Sequence, residues 1–93
     1  MAPFRLRFVI GKLTEDEFLA LQTGEPIITK MLLTPDDFKV FHYKENDEIE
    51  AATHDGNRLW ATITNMEIIA DDLRVIIIFT LLHGESNRKP GHK

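Results

Sequence analysis

Residues Tyr43 to Ile69 read YKENDEIEAATHDGNRLWATITNMEII, and this stretch decides the fold. Lys44-Glu45-Asn46-Asp47 is a polar turn. From Glu48 to Thr53, Ile49 and Ala51 alternate with Glu48, Glu50 and Ala52, the period of two expected of a strand with one wet face. His54-Asp55-Gly56-Asn57 comes next, and an Asp-Gly pair between two such runs predicts a β-hairpin closed by a type I′ turn, in which both central residues need positive φ. Beyond it Leu59, Ala61 and Ile63 share one face, whereas Met66 and Ile68 have the opposite parity. The alternation therefore slips near Thr64-Asn65, and a β-bulge is predicted there.

Toward the C-terminus, Ala70-Asp71-Asp72 makes a second turn, and Leu73 to Leu82 is apolar at both parities. Val75, Ile77, Phe79 and Leu81 fall on one side, and Ile76, Ile78 and Leu82 on the other. Such a strand is expected to be covered on both faces, with a helix over one and a curled barrel filling the other, or with a second subunit covering the remainder. Residues 84–93 carry little to bury and several breakers, which predicts a disordered C-terminal tail after a single domain at residues 1–83.

Toward the N-terminus, Phe4, Leu6, Phe8 and Ile10 alternate with Arg5, Arg7 and Val9, predicting a first strand with its arginines outward. Thr14 and Glu17 have the spacing of a capping box, and Leu13 and Phe18 that of a hydrophobic staple, so a helix starts at Glu15. Phe18, Leu19, Ala20 and Leu21 supply its packing face, and Gly24 stops it. Ile27 to Leu33, punctuated by Pro26 and Pro35, reads as a strand. Thr34-Pro35-Asp36-Asp37 then opens a short helix carrying Phe38 and Phe41. The sum is a small five-stranded mixed β-barrel of the α+β class, with one helix after the first strand and a short helix after the second.

Composition narrows the function. With 43% hydrophobic and 28% charged residues, the 93-residue chain has enough apolar content for one packed core. Zero cysteines exclude disulfides and thiolate metal sites. A net charge of −4 disfavours broad non-specific nucleic-acid binding, which needs many phosphate contacts. The arginines in the first apolar run do not fit a signal peptide, and no apolar run approaches the roughly 20 residues of a membrane span, so a cytoplasmic protein is expected. His42 and His54 stand apart from one another and from other ligand-type residues, giving no metal-site spacing. Asp47, Glu48 and Glu50 lack the rhythm of a calcium loop and read as a solvated strand edge. No cofactor is expected.

The order of elements, with the segments Phe18 to Thr29 (FLALQTGEPIIT) and Lys44 to Ile63 (KENDEIEAATHDGNRLWATI), resembles the PUA-like barrels, in particular the ASCH family. The resemblance covers residues 4 to 82. In that family a Gly-x-Lys start to the second strand precedes an acidic residue or Thr and then an Arg; here Gly24 and Thr29 match, while Pro26 replaces the lysine and Met31 the arginine. The small amidohydrolases of the family pair a lysine, a threonine and a glutamate, so the departures argue against inherited hydrolysis. On a strand Lys30 faces away from Thr29 and does not restore the set.

What the resemblance implies instead is a cleft that receives RNA or a nucleotide-like ligand. Arg5, Arg7, Thr29, Lys30, His42, Tyr43, Arg58 and Trp60 are its candidate lining, because an aromatic ring beside cations suits base stacking with phosphate contact. The alternative is a protein-interaction or scaffold module, a homodimer through the last strand included, resting on the apolar outer parity of Ile76, Ile78 and Leu82.

Overall fold

The computed structural model of the protein describes residues 7–87. At its centre the predicted hairpin pairs β3 (Glu48–Thr53) with β4 (Arg58–Ala70) antiparallel, Ala51 opposite Leu59 and Ile49 opposite Ala61. The turn is not type I′. Only Gly56 has positive φ (97°), the Gly56 amide donates to Thr53 O, and the Thr53 amide donates to Asn57 O. This is a three-residue loop in which a tight turn is followed by a glycine bulge, a geometry that needs one positive φ where type I′ needs two. The predicted bulge in β4 is present: Ile63 pairs with Leu81 but Asn65 with Thr80, leaving Thr64 unmatched.

β5 (Val75–His83) pairs antiparallel with β4 and, on its other side, with β2 (Ile27–Leu33). β1 (Val9–Leu13) pairs parallel with β3. The sheet order is β1-β3-β4-β5-β2, and the sheet curls until its edge strands approach one another, forming a nearly closed barrel with a seam between β1 and β2. Lys12 and Lys30 both line that seam, placing charge at unpaired strand edges.

The first strand lies further along the chain than the alternation predicts. Its ladder begins at Val9, Arg7 precedes it, and Phe4, Arg5 and Leu6 lie outside the described residues. A register shift between Ile10 and Leu13, with Lys12 at φ 65°, lets both of these apolar residues reach the core from one strand.

α1 (Glu15–Gln22) has the predicted reciprocal capping box between Thr14 and Glu17. It closes with Gly24 N–H bonded to Leu21 O and Glu25 N–H to Ala20 O, the paired bonds of a Schellman motif. Leu21 is fully buried, whereas Leu19, read from the sequence as a packing residue, faces outward. Two turns of helix have room for only one buried stripe, here Phe18 and Leu21. α2 (Pro35–Lys39) starts at Thr34, whose hydroxyl accepts from the Asp37 amide.

The core is formed by the inner parity of every strand: Ile10, Ile49, Ala51, Ala61, Ile63, Ile77, Phe79 and Leu81 are each at most 1% exposed. Phe8, Phe38, Phe41 and Tyr43 close one end of it, with Phe41 in ring contact with Phe8, Tyr43 and Phe79 at 5.3, 5.4 and 6.3 Å.

Gly84 to Asn87, the first residues of the expected tail, lie against β4, with Glu85–Asn87 a 3₁₀ turn. The Gly84 amide donates to Trp60 O, and the Asn87 side chain both accepts from Trp60 N–H and donates to Trp60 O. One side-chain amide thus stands in for a further strand residue. Residues 88–93 of the expected tail lie outside the described residues.

Candidate interaction surfaces

The register defines the outward face of the sheet row by row. Across β2, β5 and β4 the rows are Ile28–Thr80–Asn65, Lys30–Ile78–Glu67 and Leu32–Ile76–Ile69. Ile28, Leu32 and Ile69 are 68, 63 and 55% exposed, while Ile76 and Ile78 between them are half-buried by their neighbours. Five large aliphatic side chains therefore lie together on solvent, with Lys30 and Glu67 the charged residues of the rows. A shallow groove of about 310 Å³ runs beside Glu17, Ile28, Thr29, Lys30 and Ile78. A second, of about 410 Å³, continues past Leu32 and Ile76 to Arg74.

A second constellation occupies the other side of the barrel. Val9, Glu50 and Trp60 form one outward row across β1, β3 and β4. Glu50 Oε1 accepts from Arg7 Nη2 at 2.8 Å and lies 3.3 Å from Arg58 Nη1. Its side chain is only 13% exposed, whereas both arginines are mostly in solvent. The Arg7 guanidinium sits over the Trp60 ring, 5.6 Å from its centroid. Two cations thus share one anion beside an aromatic face, and the cluster keeps an excess of one positive charge.

The eight residues singled out from the sequence do not line one cleft. Arg7, Arg58 and Trp60 come together; Arg5 lies outside the described residues. Tyr43 belongs to the aromatic plug, stacked on His42 at 4.2 Å, and the His42 Nδ1 is buried with no hydrogen-bond partner among the described residues. Thr29 pairs opposite Phe79 on the inner parity and Lys30 opposite Ile78 on the outer, as strand alternation requires. The edge position of β2 nonetheless lets both border the groove beside Glu17, whose Oε1 already accepts from the Thr14 amide in the capping box.

The acidic group of β3 has separate partners: Asp47 accepts from the Lys44 amide, Glu48 from Ser86 N–H and Oγ–H, and Glu50 faces the arginines. Among the described residues no three His, Cys, Asp or Glu side chains are grouped to hold a metal ion, and no helix is long and apolar enough to cross a membrane. Glu50 was read from the sequence only as part of a solvated acidic edge, and Leu32, Glu67 and Ile69 were not singled out. Their signal was parity, which places Glu50 with Arg58's partners and Leu32 with Ile28, but only the strand order shows which rows they join.

No protein-family model, curated protein or solved structure matches the chain.

Proposed function

We propose that the chain is a small non-enzymatic binding module that engages protein through the outward face of β2, β5 and β4. The observation that carries this reading is the group Ile28, Leu32, Ile69, Ile76 and Ile78, five aliphatic side chains contiguous on one solvent face. Scattered exposed aliphatics are ordinary, but aliphatics grouped on one face around a pair of opposite charges mark an interaction surface. The test uses two baits, the wild type and an Ile28→Ser/Leu32→Ser/Ile69→Ser variant, on an extract of cells that express the protein. The reading expects protein retained by the wild type in high salt and released by the variant; identical recoveries from both baits refute it.

A second reading is favoured by the Arg7–Trp60 contact. In it, the outward face of β1, β3 and β4 bearing Arg7, Arg58 and Trp60 takes single-stranded RNA or a nucleotide-like ligand, in keeping with the PUA-like resemblance. A ring beside two guanidinium groups suits base stacking and phosphate contact. An amide NMR titration with short single-stranded RNA is expected to shift Arg7, Arg58 and Trp60 at low salt and to lose those shifts at high salt. A flat titration on a folded spectrum removes this reading.

A further inference from the structure

Resting on the protein-interface reading above, we propose that the partner is a second copy of this chain, joined outward face to outward face about a two-fold axis running along β5. The central row of the patch is Lys30–Ile78–Glu67, a cation and an anion placed one strand to either side of β5. Among the described residues neither makes an ion pair within its own chain. A two-fold interface brings each patch against itself, so it must be self-complementary.

An axis along β5 exchanges the two flanks. Lys30 then faces the partner's Glu67, Leu32 faces the partner's Ile69, and Ile76 and Ile78 meet their own copies on the axis. The other in-plane axis, perpendicular to the strands through the same row, sets Lys30 against Lys30 and Glu67 against Glu67, and like charges in juxtaposition are repulsive. Charge therefore selects one of the two arrangements. It is also one in which the strands of the two sheets run in the same direction, within about 30° of each other and about 10 Å apart, the ordinary geometry of aligned sheet packing.

The size of the patch sets the strength of the contact. Three strands about 4.8 Å apart and seven residues long cover on the order of 14 by 23 Å. That is small beside specific interfaces, which bury about 800 Å² on each partner. A reversible dimer is expected.

Sedimentation velocity on the full 93-residue chain from about 5 to about 500 μM, a span suited to the weak end of specific interfaces, tests the proposal. The wild type is expected to pass from monomer to dimer across the range. Lys30→Glu and Glu67→Lys are each expected to raise the dimer Kd about tenfold, since each turns two symmetry-related attractions into repulsions. The Lys30→Glu/Glu67→Lys double variant is expected to return within about threefold of the wild type. Both positions are exposed, so folding is retained, and a circular dichroism spectrum verifies it. A wild type that stays monomeric overturns self-association, as does a dimer indifferent to these charges or a double variant that fails to recover. A monomeric wild type leaves the protein-interface reading to its own bait experiment, in which a face-dependent partner of different sequence would still appear.

Discussion

The two faces of β5 carry the same kind of residue and have opposite fates. Val75, Ile77, Phe79 and Leu81 are each no more than 3% exposed, sealed by the other strands and by Leu21 of α1. Ile76, Ile78 and Leu82 are only half-buried, and the strands beside them add exposed aliphatics instead of cover. Hydrophobicity alone does not distinguish the faces. What does is curvature: closing the sheet surrounds the inner parity with five strands and leaves the outer parity to whatever the surroundings supply.

The comparison is broken most easily on the inner face. Phe79→Ala removes the largest fully buried side chain of the core and is expected to cost about 3–5 kcal/mol in urea unfolding. A loss below about 1 kcal/mol would mean that the barrel interior is loosely packed. Gly84→Ala comes next and probes the far end of β5, where the Gly84 amide bonds to Trp60 O. A Cβ at Gly84 would lie 2.9 Å from Trp60 O and from Glu48 Oε2, and the backbone contact cannot rotate away. The expected cost is about 1–3 kcal/mol, read from the same unfolding curves.

Leu32→Ser, on the outer face, sharpens the contrast by its smallness. In dilute monomer its effect on unfolding is expected to stay within about 0.5 kcal/mol. A cost as large as that of Phe79→Ala would show that something within the chain covers the face.

The smallest effect belongs to the turn that joins β4 to β5. The Asp71 carboxylate is held below its ordinary value of 3.8 chiefly because it accepts hydrogen bonds from the Leu73 and Arg74 amides, at 2.8 and 3.0 Å. Since the folded value is the lower one, its contribution is complete above the unfolded value and is lost as pH falls through the folded one. A carboxyl-detected NMR titration is expected to place the Asp71 midpoint below 3.8, and Asp71→Ala is expected to lose the associated pH dependence. A midpoint at or above 3.8 would show that these amides do not hold the carboxylate.

Much of the fold is legible in local chemistry. The capping box at Thr14-Glu17, the Thr34-Pro35 helix start, the bounds of β2 and β3 and the slip at Thr64 each follow from a few neighbouring residues, and the structure contains all of them. Features that depend on distant partners are less legible. An Asp-Gly pair is compatible with two loop lengths, and the pairing of Thr53 with Asn57 chooses between them. The first strand is displaced because its ladder is set by β3, where Val9 meets Glu50, 41 residues further along the chain. Tyr43 and Trp60 looked alike as aromatic platforms, yet one joins the plug around Phe41 and the other lies under Arg7, a difference that only packing decides. Lys30 gained its significance from Glu67, two strands away in space and 37 residues along the chain.

The strand order β1-β3-β4-β5-β2 also bears on how the chain reaches this state. β3, β4 and β5 form a meander in which every pairing joins consecutive strands, so its loops are short and its closure entropy small. β1 and β2, which come first in the chain, instead find their partners at opposite margins of that meander. Folding is therefore expected to begin in the second half of the sequence, with the β1-α1-β2 segment added afterwards as a strap that grips both margins at once.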